Sequence, residues 1–119
     1  MSNTALQLVT AAMLAAHLGA LVVAAGSRWG DRAVLLVNIA TASAVVLYQA
    51  PSAVHGSFWN DGQLLALTLF ELATLLLAAL AWRGRRAALI ASYVSFAVNG
   101  LACAAAVAFA FTFRMSRLI

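Results

Sequence analysis

Charged residues are scarce in this chain of 119 residues. Seven arginines, three acidic residues and no lysine make up 8% of the sequence, whereas a soluble domain carries about 25% charged residues. So few charges cannot coat the surface of a water-soluble fold. Hydrophobic residues make up 66% of the chain, which also excludes intrinsic disorder. The composition therefore excludes a soluble enzyme domain and predicts an integral membrane protein.

Cysteine and several catalytic motifs are also missing or rare. Cys103 is the single cysteine, so the chain forms no intramolecular disulfide and has no C-x-x-C metal or redox motif. The sequence contains no H-E-x-x-H and no Gly-rich phosphate loop. The arginines are dispersed at helix ends, where they set topology and contact lipid headgroups. We therefore expect the lipid bilayer as a partner, no nucleic acid and no metal, and the sequence assigns no cofactor.

Four apolar runs are long enough to cross a bilayer, which takes about 20 residues. They cover residues 5–26, 33–50, 63–82 and 87–113. Each segment between two runs contains Gly or Pro, which are typical of turns. The first run lacks a basic start and a cleavage site, so we expect it to be retained as a helix. The sequence thus predicts an all-α fold, a four-helix transmembrane bundle that forms a single domain over residues 1–119.

The arginines also predict the orientation of the bundle. Five of them lie in the first and third loops, and two follow the last run. They are Arg28, Arg32, Arg83, Arg85 and Arg86 in the loops, and Arg114 and Arg117 near the end of the chain. The positive-inside rule places both loops in the cytoplasm and both termini outside. Trp29 and Trp82 then mark the inner interface and Trp59 the outer one. With the heavy use of Ala and Arg, this pattern favours a bacterial inner membrane.

An internal repeat is visible at an offset of 54 residues. Residues 30–36 align with residues 84–90 without a gap, and His17 aligns with Glu71. This register predicts two helical hairpins of the same orientation, related by an axis along the membrane normal. Parallel repeats of this kind occur in transporters, whose substrate sites lie between the repeats near the midplane.

Polar residues recur at helical spacing on one face of each run, so the four polar faces should meet inside the bundle. At 1.5 Å per residue, His17, Asn38, Glu71 and Asn99 lie within about 5 Å of the midplane. An ionisable group at that depth costs about 2.5–3.5 kcal/mol, which makes Glu71 the leading site candidate. We expect His17 to pair with it. The candidate site residues are His17, Glu71, Asn38, Asn99, Thr68 and Ser95.

Each of these residues also has a structural explanation, because polar side chains join transmembrane helices by hydrogen bonds. Three functions therefore stay open. The first is a midplane His17/Glu71 site that handles protons, cations or a small polar solute. The second is a non-catalytic accessory or assembly subunit of a larger membrane complex. The third is a quinone- or haem-binding subunit that uses His17. Enzymatic activity is not expected.

Small residues line one side of the first and fourth runs. Ala12, Ala16, Ala20 and Ala24 follow one another at a spacing of four in the first run, as do Gly100, Ala104 and Ala108 in the fourth. Small-xxx-small patterns allow close approach of helices in membranes. We expect that approach within the bundle, in a homo-oligomer or in a complex with another membrane protein.

Overall fold

The computed structural model describes residues 3–54, 56 and 60–118, and the described residues form four helices and no strand. The helices are α1 (Asn3–Gly26), α2 (Gly30–Val54), α3 (Gly62–Trp82) and α4 (Arg86–Leu118). Each contains a stretch long and apolar enough to span a membrane. The prediction of an all-α bundle with four transmembrane helices is confirmed. Trp59 and His55 lie outside the described residues.

The turn between α1 and α2 is shorter than predicted, and α2 begins at Gly30 rather than at residue 33. The Ser27 side chain accepts a hydrogen bond from the Trp29 amide at 3.1 Å, and its carbonyl accepts one from the Gly30 amide at 3.3 Å. A Cβ atom at Gly30 would overlap the Ala24 backbone. Glycine at this position therefore lets the two helices cross in contact.

The turn between α3 and α4 forms a Schellman motif. The Gly84 amide donates to the Ala81 carbonyl at 3.0 Å, and the Arg85 amide donates to the Leu80 carbonyl at 3.2 Å. Gly84 has a φ of 95°, the left-handed conformation that this motif requires at the residue after the helix cap. At its other end α3 is capped by Asp61, which accepts hydrogen bonds from the amides of Gln63 and Leu64.

Two helices run further than the hydropathy predicts. Helix α2 continues through Pro51 to Val54, although proline removes one hydrogen bond of the helix. Helix α4 has 33 residues and a length of about 50 Å, so its end projects beyond a hydrocarbon core of about 30 Å. Arg114 and Arg117, which follow the last apolar run, thus lie within α4.

In the described bundle α2 and α4 contact each other across the centre, and each also contacts both α1 and α3. The backbones of α1 and α3 stay more than 8 Å apart, Cα to Cα, within the described part of the chain. Exchanging the two hairpins leaves this arrangement unchanged, as the predicted repeat requires. A simple ring of antiparallel helices has the same property, so the repeat stays a prediction.

The interior contains mostly small apolar and polar side chains, while most of the large aliphatic side chains face outward. One buried cluster contains Leu35, Ala78, Ala81 and Ala88, and another contains Ala20, Val34 and Phe96. Leu and Val side chains dominate the exposed surfaces of all four helices. This distribution is what a lipid solvent requires, since hydrocarbon does not drive large apolar groups inward.

Candidate functional site

Half of the buried side chains described are polar. They are His17, Asn38, Thr41, Gln49, Glu71, Thr74, Ser92, Ser95 and Asn99. Each helix contributes at least one of them, from the face that the 3.6-residue period predicts to be polar. All candidate site residues belong to this group except Thr68, which is half-buried. The structure therefore brings the four polar faces together in the interior.

Glu71 is fully buried in the middle of α3. It lies eleven residues before Trp82, about 16 Å from that end of the helix. Its Oε2 atom accepts a long hydrogen bond of 3.4 Å from the Asn99 side-chain amide of α4. Its Oε1 atom is buried and has no hydrogen-bond partner among the described groups. Only one of the two carboxyl oxygens is therefore satisfied.

The other polar residues of α3 do not satisfy the free oxygen of Glu71. The Thr74 hydroxyl donates to the Phe70 carbonyl of its own helix at 3.0 Å. The Thr68 hydroxyl is buried and, within the described part of the protein, has no partner. The Thr68 side chain therefore keeps a hydrogen-bonding group available on the polar face of α3, one turn from Glu71.

His17 is buried in α1, with 2% of its surface exposed. Its Nδ1 atom lies 2.7 Å from the Met13 carbonyl. Because a carbonyl only accepts hydrogen bonds, Nδ1 carries a proton, and Nε2 is the acceptor in the neutral ring. Nε2 is buried and has no partner in the described structure.

Helix α4 packs closely against the imidazole. The rings of His17 and Phe96 lie 4.8 Å apart between centroids. At Gly100 a Cβ atom would come within 3.2 Å of Cδ2 of His17, so the absence of a side chain lets α4 approach the ring. Gly100 belongs to the line of small residues predicted for close helix contact. Here that contact is inside the bundle.

Asn38 and Ser92 join α2 to α4 at the centre. The Asn38 side-chain amide donates a hydrogen bond of 2.7 Å to the Ser92 carbonyl. Asn38 Oδ1 and Ser92 Oγ are both buried and lack partners among the described residues. The two residues are 54 apart in sequence and therefore occupy equivalent positions in the predicted repeat. Residues on a two-fold axis would meet in this way.

The structure does not form the predicted hydrogen bond between His17 and Glu71. The backbones of their helices stay more than 8 Å apart, Cα to Cα, and Asn99 occupies the place at Glu71 that we expected for His17. Ser95 is buried on α4, between the levels of Ser92 and Asn99. The two side chains are therefore not paired in this structure, and the contact between Glu71 and Asn99 is one that helical spacing does not reveal.

Five buried polar atoms in the described interior have no hydrogen-bond partner. They are His17 Nε2, Asn38 Oδ1, Thr68 Oγ1, Glu71 Oε1 and Ser92 Oγ. Each such atom costs about 1–3 kcal/mol when it stays unsatisfied, and native folds contain few of them. These five atoms leave the interior able to hydrogen-bond to water or to a small polar molecule, or to accept a proton.

A second polar contact lies nearer the arginine-rich end and was not predicted. The Tyr93 hydroxyl donates to Asp31 Oδ1 at 2.5 Å, linking α4 to the first turn of α2. The two residues are 62 apart in sequence, outside any local periodicity. The one feature of the sequence that could have indicated this contact is Asp31 itself, because it is the only acidic residue among the arginines of that end.

Metal and haem binding find little support in this geometry. No group of three or more His, Cys, Asp or Glu side chains lies together in the described residues. A haem iron would have to reach Nε2 of His17, which is buried, so the packing around the ring would have to open.

Comparison with known proteins finds no relative of this chain. No family model matches it, and neither a curated protein nor a solved structure is significantly similar to it.

Proposed function

We propose that this membrane protein takes up and releases a proton at Glu71, in the polar layer between its four helices. One observation carries the proposal: Glu71 is fully buried and its Oε1 atom has no hydrogen-bond partner in the described structure. Adding a proton to that atom neutralises the carboxylate and turns the oxygen into a donor. Ionisable groups at this depth are typical of proton and ion pathways.

The geometry favours a proton over a metal cation or a larger solute. Hard cations require about six oxygen ligands, and Glu71 is the only acidic residue in the buried layer. Its second oxygen already accepts a hydrogen bond from the amide of Asn99, which a cation would displace. In this proposal Asn38, Thr68, Ser95 and Asn99 line the path, and His17 is a second proton-accepting group through Nε2.

Proton flux into proteoliposomes with an enclosed pH-sensitive dye tests the proposal. We expect Glu71→Gln to reduce flux by about 10²-fold, because glutamine keeps the volume and the hydrogen bond but does not titrate. Glu71→Asp keeps the titration and should retain partial flux with a shifted pH dependence. Thr74→Val is the matched control. It is equally buried and one turn away, and its hydroxyl is satisfied within its own helix.

An absence of proton flux would support the second function, an accessory or assembly subunit of a larger membrane complex. If the wild type moves no protons under either gradient, and Glu71→Gln still supports assembly and the cellular phenotype, the polar layer only holds the helices together. Purification in mild detergent then identifies the partners. Large co-purifying subunits indicate a complex, and a bare homo-oligomer favours the proton site. A Soret band in the absorbance spectrum would support the third function, haem binding at His17.

We also propose that the protein resides in a bacterial inner membrane with the two arginine-rich turns in the cytoplasm and both termini in the periplasm. The support is the excess of arginine in those turns. Thiol labelling tests the orientation. A cysteine at Gly84 should be protected from an impermeant reagent added outside, and periplasmic labelling at that position would reverse the proposed topology.

A further inference from the structure

A cleft of about 610 Å³ lies at the arginine-rich end of the bundle, between the start of α2 and the turn that joins α3 to α4. Its polar wall contains Asp31, Arg32, Arg85, Arg86 and Tyr93. Three arginines and one carboxylate thus line the same cleft. The Tyr93 hydroxyl binds that carboxylate, and none of the three arginines forms an ion pair within the described residues. Three arginines against one carboxylate leave the cleft with a net positive charge.

The Arg32 guanidinium lies near two indole rings. Its guanidinium carbon lies 5.1 Å from the ring centroid of Trp29 and 5.5 Å from that of Trp82. These cation–π contacts favour this position of the guanidinium and use its face, so its N–H groups stay available. The planar guanidinium can donate two parallel hydrogen bonds to two oxygens of a phosphate group, and this geometry distinguishes arginine from lysine in phosphate recognition.

The start of α4 adds to the positive potential of the cleft. Helix α4 begins at Arg86 and has no acidic residue in its first turn, whereas α3 is capped by Asp61 and α2 has Asp31 in its first turn. The N-terminal end of a helix carries a partial positive charge, and two arginines beside it make that end more favourable for an anion.

The other wall of the cleft is apolar and faces the lipid. Ile90 and Trp82 line it and remain 60% and 51% exposed, and both belong to membrane-spanning stretches. A soluble phosphate ester would leave this wall without a partner. A phospholipid would cover it with an acyl chain while its phosphate reaches the arginines.

We propose that this cleft binds an anionic phospholipid from the leaflet that the arginine-rich turns face. The phosphate lies against Arg32, Arg85 and Arg86, and the upper part of an acyl chain lies along Ile90. Basic pockets between transmembrane helices recognise anionic lipid headgroups in this way. This site is independent of the proton site, which lies deeper in the bundle.

Native mass spectrometry of the purified protein in detergent tests the proposal with phosphatidylglycerol and phosphatidylcholine of identical acyl chains. We expect phosphatidylglycerol to bind about 10-fold more tightly or better. The double variant Arg85→Gln/Arg86→Gln should lose most of that preference. The matched control is Arg28→Gln/Arg83→Gln, which removes two charges from the same two turns but from residues that do not line the cleft. It should keep the preference.

Three results would overturn the proposal. The first is equal binding of the two lipids by the wild type. The second is an equal loss of preference in the control variant, which would show a general effect of net charge. The third is displacement of phosphatidylglycerol by millimolar inorganic phosphate, which would identify a soluble anion as the ligand. If the double variant does not fold, Arg32→Lys keeps the charge, loses the planar fork, and should bind phosphatidylglycerol several-fold more weakly.

Discussion

The two helical hairpins, α1–α2 and α3–α4, place related residues at corresponding positions and use them differently. In the 54-residue register Gly30 corresponds to Gly84, and His17 corresponds to Glu71. Gly30 is buried against Ala24, so the first turn is closed by direct packing of the two helices. Gly84 is exposed, and a Cβ atom added to it would have no other atom within 4 Å. Its positive φ is what favours glycine at this position. One hairpin therefore needs glycine for space and the other for backbone conformation.

The ionisable residues of the two hairpins differ in the same way. The hydrogen bond of His17 stays within α1, and its ring packs against α4 through apolar contacts. The hydrogen bond of Glu71 crosses from α3 to α4. The first hairpin therefore holds its polar group locally, while the second depends on a neighbouring helix. Movement between α3 and α4 would change the environment of Glu71 directly, as the proposed uptake and release of a proton requires.

The largest expected effect comes from placing asparagine at each turn glycine. Gly30→Asn should lower the free energy of unfolding by about 3 kcal/mol, because its Cβ overlaps the Ala24 backbone in a packed interface. Gly84→Asn should cost less than about 1 kcal/mol, since asparagine tolerates a positive φ and the position is open. Thermal unfolding of both variants in one detergent measures the difference. Similar losses would show that the two turns are constrained alike.

A smaller effect is expected at the centre, where the hairpins meet. Asn38→Ala removes the 2.7 Å hydrogen bond to α4 and should cost about 1–2 kcal/mol. Ser92→Ala should stay within about 0.5 kcal/mol of wild type, because the backbone carbonyl accepts that bond and the Ser92 hydroxyl has no partner in the described structure. The two alanine variants are compared by unfolding under identical conditions. A large loss in Ser92→Ala would mean that its hydroxyl binds a water or ligand that matters for stability.

Hydropathy and helical period predict most of this fold, because a lipid solvent leaves few alternatives for long apolar runs. They also predict which side of each helix is polar, as the burial of Asn38, Glu71 and Asn99 illustrates. The start of α2 was misplaced because Gly30 and Asp31 are typical of turns, whereas Asp31 instead occupies the first helical turn, where a negative charge is favourable.

The partners of the site residues were not predictable from one sequence. Helical spacing gives the direction in which a side chain points but not which helix lies opposite. Glu71 therefore forms its hydrogen bond with Asn99 and not with His17. The hydrogen bond between Tyr93 and Asp31 likewise joins residues that no helical periodicity relates. The order of the helices around the bundle depends on packing of many small side chains, and that information is spread over the whole chain.

The smallest expected effect is the coupling energy between Glu71 and its neighbours. It decides whether Glu71 interacts with Asn99, as the structure shows, or with His17, as the 54-residue register suggests. Double-mutant cycles pair Glu71→Leu with Asn99→Leu and, separately, with His17→Leu, and unfolding in detergent gives each coupling energy. The hydrogen bond between Glu71 and Asn99 is long, so we expect a coupling of about 0.5–1 kcal/mol for that pair and less than about 0.3 kcal/mol for the pair with His17. The 54-residue register alone predicts the opposite order. A larger coupling to His17 would therefore show that α1 and α3 bring the imidazole and the carboxyl together in a second arrangement of the bundle, in which Nε2 and Oε1 satisfy each other.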